Sequence, residues 1–304
     1  MLFYYVNRLL IRYSNAIFSG VLRTPACRST PGARVVIYSV LGQSAVRPYL
    51  LAVKSFLRYL DYDVEVVVQD DGTLDRPSRI ELESHVHGIT IVRLEDTVTF
   101  LRDALGDTVG QTVADAQFFV PLKLANPILR FGGRFVVLLD SDVLCVRRPA
   151  FVLDCMAGTT GRTFYTDGGN SLRVAFEEVG LGGDVVKVAN FNAGFFGFSN
   201  SLSCGELSEV LRKATAAIPG VEKHWQCEQA CWAVLLNQTH SPVCLASIDE
   251  HYVCTGWSGY ANLRNDAVLI HFVGSTRFRN LMYIRFGYAV IRALREDGTC
   301  RTLD

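Results

Sequence analysis

No stretch of this 304-residue chain is an uninterrupted apolar run of the roughly 20 residues that a membrane-spanning helix requires. The apolar segment at residues 1–22 is broken by Arg8 and Arg12 and forms the charge-free core of a signal peptide poorly. An excess of one charge is also lacking. Thirty basic and thirty acidic side chains cancel, and no basic run or recognition motif is present, which argues against an electrostatic footprint for DNA or RNA. A cysteine framework is missing too: the nine cysteines are odd in number and scattered through apparent strands and helices. Cys227 and Cys231 lie one helical turn apart, but no second Cys or His pair with zinc spacing accompanies them. Buried, reduced thiols, as in a cytosolic core, are the expectation. Finally, there is no internal repeat, low-complexity tract or linker that would divide the chain into independent domains.

What is there is a hydrophobic content of 49%, enough for a large core. Residues 34–40 read as a first strand, followed by helical spacing from Tyr49 to Leu60 with Pro48 in the first turn. Residues 64–68 form a second strand that ends in Gln69-Asp-Asp-Gly-Thr73, and residues 89–92 a short third. A long helical stretch is expected over about 113–129, kinked or interrupted at Pro121 and Pro127. Strand and helix thus alternate, which predicts a largely parallel, doubly wound first half. The second half is less regular. Residues 158–188 are Gly-rich, with a short helix at 172–178; a strand is entered near Asn190, and helices follow at 206–217 and 225–236. A strand at 268–272 and an amphipathic helix at 281–294 close the chain.

The densest chemical signal is Phe135-Val-Val-Leu-Leu-Asp-Ser-Asp142, where an apolar strand stops at two carboxylates and apolar sequence then resumes. The carboxyl ends of strands are where open α/β sheets bind ligands. Adjacent carboxylates repel, and a divalent cation removes both the repulsion and the cost of burying them. Asp140 and Asp142 are therefore a candidate D-x-D metal site of the kind that holds a nucleotide diphosphate. The pattern also occurs at Asp61-Tyr-Asp63, between a helix and a strand, where exposed turn aspartates are expected. His271, at the end of the 268–272 strand, offers an imidazole suited to Mn²⁺. Gly274 lets backbone approach a phosphate, and Arg277 can grip one bidentately. Asn192 beside Gly194 offers both a donor and an acceptor for sugar hydroxyls. Glu228-Gln229 opens a helix, where the dipole favours an acid in any case. Asp71, in the turn after the second strand, can take a base or ribose hydrogen bond, and Lys123 can balance diphosphate charge.

Residues 1–22 place Leu2, Val6, Leu9, Leu10, Tyr13 and Ile17 on one helical face. That face either packs on the domain or lies in the plane of a membrane with the arginines towards head groups.

In order and content these segments resemble a GT-A glycosyltransferase, most closely the family 8 group that includes glycogenin and the bacterial lipopolysaccharide glucosyl- and galactosyltransferases. The likeness runs from about Ala33 to Arg277. Leu138-Leu-Asp-Ser-Asp142 resembles the metal motif, whose first Asp also approaches the ribose and whose second binds the metal. Phe191-Asn-Ala-Gly194 resembles the segment lining the sugar site, and Glu228-Gln229 is similar to an acid-Gln pair beside the transferred sugar. His271-Phe-Val-Gly274 resembles the segment that supplies the third metal ligand. Lys123 sits where the family often has a basic residue on the helix before the metal strand. Arg277-Phe-Arg stands where the family usually has Lys-Pro-Trp, and Glu228 replaces the commoner Asp. Asp70-Asp-Gly-Thr73 looks more like the D-D-G-S segment of inverting family 2 enzymes.

The resemblance implies an α/β fold of the GT-A nucleotide-diphospho-sugar transferase type, with a mostly parallel central sheet flanked by helices. It implies an N-terminal amphipathic helical segment at 1–30 and a catalytic domain at 31–280. Within that domain, 31–150 is the nucleotide-binding half and 151–280 the acceptor and sugar half; a C-terminal helix and tail occupy 281–304. The implied activity is sugar transfer from a UDP-sugar to a hydroxyl acceptor, with retention of configuration. Mn²⁺ or Mg²⁺ is held by Asp140, Asp142 and His271. The donor contacts are Asp71, Lys123, Asp140, Gly194, Gln229, Gly274 and Arg277, and the residues at the chemistry are Glu228, Asn192 and Asp167. Two other readings compete: a sugar-phosphate nucleotidyltransferase and a non-catalytic nucleotide-sugar-binding scaffold. The expected location is the cytoplasm, with peripheral contact to the inner face of a membrane through residues 1–22 as an option.

Overall fold

The computed structural model describes residues 2–115, 119–158, 163–167, 191–217, 220, 225–239, 245–247, 252–254, 267–274 and 277–298. In chain order the elements begin with helices α1 (Leu2–Arg12) and α2 (Ser14–Ile17), a 3-10 turn at Ser19–Arg23 and the two-residue strand β1 (Cys27–Arg28). Then come β2 (Val35–Leu41), α3 (Val46–Leu57), β3 (Val64–Asp70), α4 (Arg76–His85), β4 (Val86–His87) and β5 (Thr90–Val92). After α5 (Leu94–Asp115), a π-helical turn at Phe119–Ala125 and α6 (Asn126–Arg130), the chain forms β6 (Phe135–Leu139), β7 (Val143–Cys145), α7 (Ala150–Ala157) and β8 (Thr163–Asp167). The remainder is β9 (Phe191–Ser199), α8 (Cys204–Ala217), α9 (Trp225–Thr239), β10 (Leu245–Ser247), β11 (Tyr252–Cys254), β12 (Leu269–His271) and α10 (Met282–Glu296).

Two compact units are assembled from alternating stretches of chain. The first takes Met1–Ile91, Leu139–Leu153 and Asp249–Asp304, and the second Val92–Leu138 and Asp154–Ile248. In the first, β2 and β3 pair in parallel from Val35 opposite Val64 to Leu41 opposite Asp70, and β5 lies beyond β3. Both long strands are almost wholly buried, as continuous Val/Ile runs require when a sheet is covered on two faces. The crossover helix α3 buries every residue except Arg47, which reaches Glu81 instead. A smaller sheet, ordered β11-β12-β7, pairs β12 antiparallel to β7.

In the second unit the strand order is β10-β8-β9-β6, with β10 parallel and β9 antiparallel to β8. The aromatic strand β9 is buried along all but its last residue. Phe196 and Phe198 meet Trp232 of α9 at ring-centroid distances of 5.0 and 4.9 Å. A Cβ on Gly197 would collide with the Phe164 ring, so only glycine lets the two strands close at this point. Helix α8 starts with a capping box, Ser203 Oγ accepting from Glu206 N while Ser203 N donates to the Glu206 carboxylate.

The strand expectations at 34–40, 64–68, 89–92 and 268–272 have counterparts in β2, β3, β5 and β12, and the terminal helix in α10. The expected helix at 113–129 is corrected. A helix starts at Leu94 and bends at Gly106, where φ is 73°, and the segment containing Pro121 is a π-helical turn. Proline lacks the N–H that a regular helix needs, and Pro127 instead sits near the start of α6. Helix α4 was not foreseen, although Asp75 caps it by accepting from Ser78 N and Pro77 lies in its first turn. The reduced-thiol expectation fails at Cys27, which is disulfide-bonded. Cys145, Cys155, Cys204, Cys227 and Cys231 are free. The short helix expected at 172–178 lies outside the described residues.

Candidate metal and nucleotide site

Asp140 and Asp142 follow the fully buried strand β6, and the chain turns there so that Val143 N donates to Asp140 O at 3.2 Å. Strand β7 then runs back against β12 with Val143 opposite His271, and Phe272 N donates to Asp142 O at 2.9 Å. This antiparallel pairing brings His271 beside carboxylates that lie far from it in sequence. Each of the three residues offers a ligand atom within 4.8 Å of the others, the one such group found among the described residues. Two hard carboxylate oxygens and a borderline imidazole nitrogen suit Mn²⁺ or Mg²⁺, leaving further coordination positions for phosphate and water. By that donor set the residues present fit the ion.

Asp142 is only 4% exposed. Its Oδ1 lies 3.2 Å from His271 Nε2, and its Oδ2 accepts from Arg277 Nη2 at 2.5 Å. Burial works against the Arg277 guanidinium charge, but Asp142, with Tyr283 and Asp140, outweighs it and holds the Arg277 pKa above its usual value. Arg277 Nε also donates to Phe272 O at 3.3 Å. Gly274, at φ 43°, provides the turn that carries Arg277, and Arg277 N donates back to Gly274 O at 3.2 Å. Asp142, His271 and Arg277 are thus brought together.

Two supporting residues escaped the sequence reading. Asn7 of α1 is 1% exposed and holds both ends of the Gly274 turn: its Oδ1 accepts from Phe278 N at 3.0 Å, and its Nδ2 donates to Gly274 O at 3.5 Å. Tyr283 Oη donates to Ser141 O at 3.2 Å, inside the D-x-D turn. Burial pushes the Tyr283 phenol up, so it keeps that proton across the working pH range. A lone amide among the apolar residues of α1 was the signal available for Asn7; Tyr283 carried none.

Asp71 lies just past the carboxyl end of β3, and Asp71 N donates to Leu41 O at 3.1 Å. Its Oδ1 accepts from Thr73 N and Oγ1, and a Cβ on Gly42 would strike its Oδ2, so β2 and β3 end in close contact. The neighbouring Asp70 is a structural acid, buried and paired with Arg79 at 2.7 Å. Asp61 and Asp63 are exposed, as expected for a solvated turn.

The other candidates belong to the second unit. Asn192 is buried on β9, and its Oδ1 accepts from Gly194 N at 2.8 Å. The backbone of Asp167 pairs opposite Phe191 at the end of β8. Glu228 and Gln229 are buried in the first turn of α9, and among the described residues nothing donates to Gln229 Oε1. Lys123 is buried in the π-helical turn, where its carbonyl accepts from Trp232 Nε1 at 3.2 Å.

No family model and no curated protein matches this sequence. Solved structures do match. Mouse xyloside xylosyltransferase 1 superposes with a TM-score of 0.51 at 12% identity, over 82% of this chain and 99% of its own. An active-site mutant of LgtC gives 0.50 at 12% identity, over 85% and 95%. The bifunctional glycosyltransferase WbbM gives 0.50 at 13%, over 88% of this chain and 51% of its own. The chain has the α/β architecture of these GT-A glycosyltransferases, with a mostly parallel central sheet flanked by helices.

Proposed function

We propose that this protein is a metal-dependent glycosyltransferase that moves a sugar from a nucleotide-diphosphate donor, a UDP-sugar in the first instance, to a hydroxyl acceptor with retention of configuration. The observation that carries the proposal is the buried cluster at the end of β6, where two carboxylates and an imidazole converge beside an arginine. Asp140, Asp142 and His271 would hold Mn²⁺ or Mg²⁺. When bound, that ion supplies Lewis-acid charge to the leaving diphosphate. Arg277 adds a guanidinium whose proton is secure, aimed at the same developing negative charge. Gly274 brings backbone close to phosphate, Asp71 takes the ribose or base, and Lys123 adds positive charge.

In the second unit, Asn192, Gly194 and Gln229 are assigned to the sugar hydroxyls. The amide oxygen of Gln229, buried with no donor to it among the described residues, supports that assignment. Glu228 is assigned to orienting the oxocarbenium-like centre, and Asp167 is kept as the base that an inverting course would require. Residues 31–150 serve the nucleotide and 151–280 the sugar and acceptor. A disulfide at Cys27 removes the thiol argument for a reducing compartment, so the cytoplasmic expectation no longer rests on the cysteines.

The test is a thermal-shift series with UDP, UDP-glucose, UDP-galactose, UDP-N-acetylglucosamine and GDP-mannose, each with Mn²⁺ or EDTA. A ligand at about a hundred times its dissociation constant stabilises the fold by roughly 2.7 kcal/mol. Stabilisation by a uridine nucleotide that vanishes in EDTA and in Asp142→Asn, but survives in Asp61→Asn, is the expected result. Asparagine is preferred to alanine because, although it too removes the counter-charge of Arg277, its amide oxygen can still accept from the buried guanidinium and it leaves no cavity. Undiminished metal-dependent binding in Asp142→Asn would sink the site assignment.

A further inference from the structure

Helix α1 leaves part of its apolar surface uncovered. The side chains it and α2 turn towards the fold include Asn7 and Ser14, each 1% exposed, with Ser14 Oγ donating to Ser44 O at 2.9 Å. On the opposite side Tyr5, Leu9 and Tyr13, four residues apart, are 62%, 55% and 54% exposed. Spacing of four residues aligns them in one stripe, and Arg8 and Arg12, also exposed, run alongside. Helices of soluble folds place their apolar stripe on the core; this one half-buries Leu10 and Ile11 on the side of Asn7 and leaves Tyr5, Val6 and Leu9 outside.

The same surface continues onto the C-terminal helix. Tyr288 of α10 is exposed while its Oη donates to Ile17 O at 3.0 Å, and Leu281 is exposed just before the helix. Apart from Ile80, every large exposed apolar side chain among the described residues lies in these two segments. Their charge is equally one-sided. No Asp or Glu precedes Asp61, and none occurs from Ala267 to Arg295. The zero net charge of the chain conceals this segregation.

We infer that this face is a docking surface for an anionic lipid bilayer, with α1 lying in the plane of the interface. Tyrosines suit that position because the ring enters the acyl boundary while the hydroxyl stays wet. Arginines beside an apolar stripe draw the helix to anionic head groups. A second copy of the chain fits less well, because a two-fold contact through this face would set its arginines against their own counterparts. No helix among the described residues is long and apolar enough to cross a membrane, so this contact is peripheral.

The experiment is flotation of the full chain with phosphatidylcholine vesicles, with and without phosphatidylglycerol, in the absence of metal and nucleotide. That choice separates it from the donor-site reading. Binding should require phosphatidylglycerol and weaken with salt. Arg8→Ala and Arg12→Ala should each lower affinity about fivefold. Leu9→Glu and Tyr13→Glu should abolish binding while leaving the thermal midpoint in place. Failure to bind the mixed vesicles, or binding of Leu9→Glu at the wild-type level, would overturn the proposal. Self-association that disappears in Leu9→Glu would assign the face to a second copy and overturn it as well.

Discussion

Helices α1 and α10 have the same kind of sequence, an apolar stripe interrupted by arginines, yet they are held by opposite chemistry. Helix α10 buries Tyr283, Gly287, Val290, Ile291 and Leu294, and its Tyr283 ring packs on both Phe18 and Phe272 at centroid distances of 4.8 and 4.7 Å. Helix α1 buries Asn7 and exposes Tyr5 and Leu9. Up to Asn15 the N-terminal segment is held by polar contacts: Asn7 to Gly274 O and Phe278 N, Ser14 to Ser44 O, and Asn15 to Gln43 O and Arg47 N. Only beyond it do the apolar Phe18 and Val21 become fully buried. An amphipathic pattern states that an apolar face exists; what covers that face is a separate question.

The largest expected effect comes from the apolar-anchored helix. Ile291→Ala should cost about 2–5 kcal/mol by leaving a cavity against Gly20, whereas Leu9→Ala on α1 should change stability by less than about 0.5 kcal/mol. Urea denaturation of the two variants measures the contrast directly, and equal costs would mean that the α1 stripe is covered in solution.

Asn7→Ala should rank next. It leaves Phe278 N without its buried acceptor and Gly274 O with only Arg277 N donating to it, at about 1–3 kcal/mol. Because the turn so released carries Arg277, nucleotide affinity should fall more than global stability does, and calorimetric titration of the folded variant with UDP and Mn²⁺ tests this. A loss of stability with unchanged affinity would confine Asn7 to a structural role.

The smallest effect concerns pH. Burial lowers the Lys54 pKa to about 8, from an ordinary 10.5. Between these values the unfolded chain binds more protons than the folded one, so this group makes stability rise with pH, by up to ~1.4 kcal/mol per unit. Below about 8 both states are charged and the burial penalty is constant. Buried Cys145 and Cys231, whose thiols are pushed above their ordinary 9.0, oppose the trend from about that pH, and Tyr49 and Tyr283, whose phenols burial pushes up, oppose it above 10.0. The stability of the wild type relative to Lys54→Met, in which those groups cancel, should therefore climb between pH 8 and 10 when read from denaturation midpoints. A constant difference would remove Lys54 as the cause.

Much of the strand framework could be read in advance because its signals are local. Apolar runs declared β2, β3 and β6, and the abrupt Asp140-Ser-Asp142 marked where β6 ends. His271 and Arg277 were legible from residue type and order, though not the bond that joins Arg277 to Asp142. Asn7 and Tyr283 were missed because their roles are contacts to backbone groups on other elements, which leave no spacing in sequence. Helix α4 was a different failure: Asp75-Arg-Pro-Ser78 is a local start signal that was passed over.

By itself the sequence determined the alternation of strand and helix, the carboxylates at a strand end and the existence of an apolar stripe on each terminal helix. These depend on residue order over a few turns or one strand. Only the tertiary structure decided that β12 would pair with β7 and bring His271 to Asp142, that Arg277 would share the Asp142 carboxylate, and that α1 would dock by its asparagine. Each is a contact between residues remote in sequence, chosen by which buried polar groups could be satisfied and which apolar surfaces could be covered. No local pattern encodes that choice.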